Sequence, residues 1–240
     1  MLGISKKIYT ENAMKSKQGG FTLVEIAIVL VIIGLLLGGV LKGQELINSA
    51  KVKNMVGDFR TVSALVYGYQ DRFKSFPGDQ SQVQLDAAFG AGVATVCAAA
   101  ATCAPNNGRL DGDWNAVATT SESFVFWQHV RFANLATGPT ATADANYIPR
   151  NADGGVIGVE SGISAAGAAA PFIAGMRGSF FVCSSGVLGR YVRQIDTTMD
   201  DGNTAGGSVQ AVPMGSARAT AATLTAAVVD GQQYIVCAGF

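Results

Sequence analysis

Charge is what this chain has least of. Only 14% of its 240 residues are Asp, Glu, Lys or Arg, and 17 basic side chains balance 17 acidic ones. Without a basic field there is nothing to hold nucleic acid electrostatically, and no nucleic-acid partner is expected. Histidine is scarcer still, with His129 the single one, and no GxSxG, Walker loop, HExxH or CxxC stands anywhere in the chain. Enzymatic activity is therefore not expected, and His129 reads as a packed or surface histidine. Proline is absent between Phe21 and Phe76, so nothing in that stretch forces a helix to break.

The chain is rich instead in one long apolar run. Lys15 to Leu41 reads KSKQGG followed by FTLVEIAIVLVIIGLLLGGVL, a basic leader, a Gly-Gly step and 21 residues interrupted by one acid. At about 1.5 Å per helical residue, Phe21–Leu41 covers about 30 Å, the thickness of a bilayer's hydrocarbon core. Lys6, Lys7, Lys15 and Lys17 stand before it against Glu11 alone, which predicts a cytoplasmic N-terminus with everything after Leu41 across the membrane. Glu25 is the anomaly, because a carboxylate within a membrane helix costs roughly 2.5–3.5 kcal/mol on insertion scales and marks function. A cut after Gly20 would give Phe21 a free α-amino group four residues before Glu25, on one helix face. Between two copies, such an amine and carboxylate would each offset part of the other's desolvation.

These residues resemble the class III signal of type IV prepilins and type II secretion pseudopilins. The resemblance implies that a prepilin peptidase cuts on the cytoplasmic side after Gly20, that Phe21 is N-methylated, and that Glu25 aids assembly. It implies partners too: other pilin-like subunits, the peptidase, an inner-membrane assembly platform and the membrane itself. Where many pilins carry a proline about 21 residues after the cut, this chain has Lys42, so no kink is expected there. An ordinary secretory signal has a core of about 7–15 residues followed by a small-residue cleavage site. This core is longer and carries Glu25. A membrane-anchored periplasmic binding or adhesion domain that never polymerises is the alternative from another class.

Four cysteines, Cys97, Cys103, Cys183 and Cys237, all follow the membrane stretch, where the expected topology is oxidising. Three pairings are open; the favoured one joins Cys97 to Cys103 in a short ring and Cys183 to Cys237 across a long loop. The spacings are not those of a zinc ribbon, and His129 is not near a cysteine pair in sequence.

Beyond the bilayer, Val52, Met55, Phe59, Val62, Val66, Tyr69 and Phe73 recur at steps of three and four. That stripe predicts that the membrane helix continues outward to Lys74, about 54 residues and roughly 80 Å, with Phe76-Pro77-Gly78 ending it. The stripe is expected to pack on the chain's own sheet. Residues 77–112 read as loop with one short helix, and the Thr119-x-x-Glu122 capping-box pattern opens a second helix over Ser121–Leu135. Its FWQHVRFANL also resembles a segment of large pilin-like proteins. Residues 136–178 read as a coat of loops. Alternation then predicts strands at Ser179–Ser184, Val187–Arg193, Ser208–Val212 and Gln233–Ala238, the first two joined by a Ser-Gly turn.

Between strands, IDTTMDDGNTAGG brings Asp196, Asp200, Asp201 and Asn203 close together. Oxygen ligands at this density suit Ca²⁺, and pseudopilin-like proteins carry a similar Asp-Asp-Gly-Asn loop. The same residues also make a tight turn without any ion. Asn107–Asp113 is a second acidic turn. The expected architecture is α+β and pilin-like. Residues 1–20 form a leader, 21–74 a long helix with 21–41 transmembrane, and 75–240 a periplasmic or extracellular domain resting on an antiparallel sheet. The expected function is structural: a subunit of a type IV pilus or a type II secretion pseudopilus.

Overall fold

Thr22 opens the first helix. In the computed structural model, which describes residues 20–97, 103–162 and 170–240, α1 runs Leu23–Phe73. Its start is a reciprocal pair: Thr22 N–H donates to Glu25 Oε2 at 2.8 Å and Glu25 N–H to Thr22 Oγ1 at 3.3 Å. That arrangement satisfies backbone donors which have no partner inside the helix. At the other end Lys74 turns to φ 57°, and the loop through Pro77 begins. Gly78, at φ 106°, donates its N–H to His129 Nδ1 at 2.9 Å. A Cβ there would lie 2.6 Å from Glu122 O. Only glycine fits.

Contacts divide the chain into two units, Met1–Leu46 and Ile47–Phe240, with the division inside α1. In the first, the described residues Phe21–Leu41 are exposed along their whole length, and from Leu23 onward they belong to a helix long and apolar enough to cross a membrane. The leader expected before Gly20 lies outside the described residues.

The second unit is built on a four-stranded antiparallel sheet in the order β1-β3-β6-β4. Its strands are β1 (Ile157–Glu160), β3 (Phe181–Leu188), β4 (Val209–Pro213) and β6 (Gln233–Gly239); β2 (Ile173–Ala174) and β5 (Thr220–Ala221) form a separate parallel pair. Alternation sends successive side chains to opposite faces. Val182, Val187, Tyr234 and Val236 join one apolar cluster with Val52, Met55, Phe59, Val62, Val66 and Tyr69 of α1. The helical stripe thus packs on the sheet, with Phe73 partly buried at its edge. Phe181, Cys183, Ile235 and Cys237 face the other way, into a smaller cluster with Trp114, Phe172 and Ile173. The fold is α+β, a long N-terminal helix with a C-terminal antiparallel sheet.

Three shorter helices complete it: α2 (Gln82–Phe89), α3 (Glu122–Phe132) and α4 (Gly189–Met199). Three expectations are corrected here. The Ser-Gly step at 185–186 is not a turn between two strands but an irregularity within β3, both of whose halves pair with β6, Ser184 opposite Val236 and Val187 opposite Tyr234. The expected strand over Val187–Arg193 stops at Leu188, because Tyr191, Val192 and Ile195 bury one helical face of α4 instead. Nor does Thr119 cap α3. Ser121 holds that position, and Glu122 turns inward to accept the Asp111 N–H at 2.8 Å.

Candidate functional site

Two places carry the chemistry that the sequence singles out. At the first, Gly20 and Phe21 precede α1 and are fully accessible, Phe21 being 83% exposed. Glu25 sits on the first turn, and its carboxylate is engaged by Thr22 alone among the described residues, through the backbone N–H and through Oγ1, both at 2.8 Å. Thr22-x-x-Glu25 is itself a capping-box pattern, a signal present in the sequence and not read there. An acid at this position therefore does local work, closing the helix end through Oε2 and leaving Oε1 without a hydrogen bond among the described residues.

The second place follows α4. Asp196 lies on its last turn with no exposed surface, and neither of its carboxylate oxygens has a hydrogen-bond partner among the described residues. Ligand oxygens of Asp196, Asp200 and Asp201 lie within 4.8 Å of one another. Burial, and then the charges of Asp200 and Asp201, push the Asp196 carboxyl up to about 6. Asp200 is fixed from behind, accepting the N–H groups of Ser208 at 2.5 Å and Val209 at 3.0 Å, where β4 begins. Asn203 serves the loop: its N–H donates to Asp201 Oδ1 at 2.9 Å and its Oδ1 accepts from Ala205 at 3.3 Å. Three aspartates converge, one orphaned and buried, and a hard cation with oxygen preference fits that donor set.

The cysteines are joined Cys97 to Cys103 and Cys183 to Cys237. The second pair occupies directly opposed positions on β3 and β6. His129 is wholly buried, its Nε2 at 2.9 Å from Thr95 O; burial pulls its pKa down to about 4, so it is a neutral brace between α3 and the loops at 78 and 95. Sequence reasoning missed one buried ion pair. Arg218 reaches Glu160 through Nη1 at 3.0 Å and Nη2 at 2.5 Å, and Asp113 through Nη2 at 2.7 Å. Glu160 and Arg218 stand 58 residues apart, and no local pattern links them.

The N-terminal stretch that runs into α1 has a counterpart among known families. Residues 15–41 match the prokaryotic N-terminal methylation motif. The match covers the basic leader, the Gly-Gly step, Phe21, Glu25 and the apolar half of the helix. No curated protein and no solved structure matches the chain.

Proposed function

We propose that this chain is a pilin-like precursor, cut between Gly20 and Phe21 by a prepilin peptidase, methylated at Phe21, and assembled into a type IV pilus or pseudopilus filament. The observation that carries the reading is the methylation motif running directly into an exposed apolar helix with Glu25 five residues after Gly20. In this reading residues 1–20 are the leader and 21–74 the assembly helix, spanning the inner membrane at 21–41, with 75–240 borne on the periplasmic side. Two disulfides in the domain support an oxidising compartment for it. Apolar side chains that face lipid before assembly face neighbouring helices afterwards, and Glu25 meets the Phe21 amine of another copy to fix register.

The aspartate cluster is read as a Ca²⁺ site held by Asp196, Asp200 and Asp201, with Asn203 ordering the loop. Bound there, the ion would supply the positive charge that the buried Asp196 carboxylate lacks and tie the end of α4 to the start of β4. Its role is structural. N-terminal sequencing and mass spectrometry of protein from cells decide the processing: the mature chain is expected to begin with methylated Phe21, and an intact Met1 would refute the reading.

A further inference from the structure

Two grooves flank α1 in the second unit, and unpaired ionic side chains of opposite sign stand at their edges. One lies between α1 and α4, encloses about 650 Å³, and has Val52 and Val56 on its floor. Lys53 and Arg60 stand exposed on its rim, with no ion-pair partner for either among the described residues; Arg193 on the far wall is already held by Asp230. The other groove lies between α1 and α3, encloses about 420 Å³, and is floored by Val62, Leu65, Trp127 and Ile157. Asp58 stands at its edge without hydrogen bond or ion pair among the described residues, and burial alone pushes its carboxyl above the usual range. Arg131 shares the groove but is committed to the carbonyls of Pro139 and Tyr147 at 2.7 Å each.

Helix geometry keeps these charges from meeting within one copy. At about 100° per residue, Asp58 lies about 140° around the axis from Lys53 and about 160° from Arg60. Positions five and two residues apart do not face each other. Each copy thus carries, among the described residues, unpaired cations at the rim of the groove on one flank of α1 and the unpaired Asp58 carboxylate at the edge of the groove on the other.

We propose that the two flanks are the complementary halves of one interface between copies of this chain, with Lys53 and Arg60 of one copy against Asp58 of the next. The contact is heterologous: the patch that receives differs from the patch that gives. Repetition leaves a free half at each end, so the arrangement grows as an open polymer wherever its rotation does not close a ring. This rests on the filament reading and adds to it a contact made by the domain, separate from the Phe21–Glu25 register.

Zero-length carbodiimide cross-linking of the full chain in membranes tests the pairing, because the reagent condenses a carboxylate only with an amine in contact. A two-copy product mapped to an amide between Lys53 Nζ and the Asp58 carboxyl is expected. Lys53→Glu with Arg60→Glu should abolish it, and so should Asp58→Lys. Co-expressing those two variants should restore a two-copy product, now with the new carboxylate at position 53 of one variant joined to the new amine at position 58 of the other, which also shows that both fold. Absence of the two-copy product from the parent, attachment of Lys53 to a different protein, or a product indifferent to both charge reversals would overturn the interface. Two-copy products with no longer ladder would overturn the heterologous arrangement, whereas filaments that form without any Lys53–Asp58 amide would overturn this interface and leave the filament reading standing.

Discussion

At Glu25 two roles share one side chain, and a single substitution separates them. The carboxylate closes the start of α1 by accepting from Thr22, and in the proposed filament its charge would pair with the amine that cleavage before Phe21 would create. Gln keeps the acceptor and loses the charge, whereas Ala loses both. If charge pairing between copies fixes register, Glu25→Gln and Glu25→Ala should both be cleaved and both fail to assemble. If the cap is what matters, the Gln variant should assemble like the parent while the Ala variant does not. Quantifying sheared surface filaments beside precursor and mature chain on one blot reads both outcomes. Asp196 gives a second residue-scale expectation. Its folded pKa is raised to about 6, so its proton is held more tightly in the folded apo chain than in the unfolded one. That contribution to stability is fully present below the unfolded carboxylate value, near 3.9, and is lost as pH rises through about 6. Calcium at the proposed site would compete with the same proton. Affinity should be flat above pH 7 and fall by about tenfold per pH unit below 6, while Asp196→Asn should remove that dependence along with the binding. Calorimetric titration with calcium chloride across pH 5 to 8 measures it, and a pH-independent affinity, or none at any pH, would rule the site out.

Among the elements, β3 and β6 form the centre of the sheet, and Cys183 opposite Cys237 is the covalent link between them. Those cysteines are 54 residues apart, which on the chain-entropy model corresponds to roughly 4 kcal/mol, against roughly 2 kcal/mol for the six-residue separation of Cys97 and Cys103. The Cys183→Ala, Cys237→Ala double variant should therefore lose clearly more denaturant resistance than the Cys97→Ala, Cys103→Ala variant. Equal losses in urea melts would contradict that ordering. The same elements show where sequence sufficed. Seven apolar residues from Val52 to Phe73 keep helical steps, so α1 and its buried face were readable without coordinates. β4 and β6 were readable because one face of each alternates cleanly between two cores. The end of β3 was not, since Val187 to Arg193 fits a strand's period of two as well as a helix, and only pairing with Gln233 and Tyr234 decides where one becomes the other. Asp196, Asp200 and Asp201 were visible as a local density of acids, but burial of Asp196 depends on α4, which the sequence did not announce. Glu160 with Arg218 depends wholly on tertiary approach.

For the whole molecule, the position of the cut relative to the apolar stretch decides what processing does. A secretory signal is removed with its apolar core, and the remainder is freed from the membrane. Under the proposed cut before Phe21, the 20-residue leader would leave and every residue of the apolar helix would stay with the mature chain. Burying that helix in lipid is favoured by about 25 cal/mol for each Å² of apolar surface removed from water, and its side chains from Leu23 to Leu41 are exposed among the described residues. Removing the leader alone should thus leave the mature chain in the membrane, resistant to alkaline carbonate like its precursor. Release should require assembly, in which other copies replace lipid around the same side chains. In cells carrying the peptidase but lacking the assembly platform, mature chain is expected wholly in the membrane pellet. If it instead appeared in the soluble periplasmic fraction, the apolar helix would not be holding it, and polymerisation through that helix would lose its physical basis.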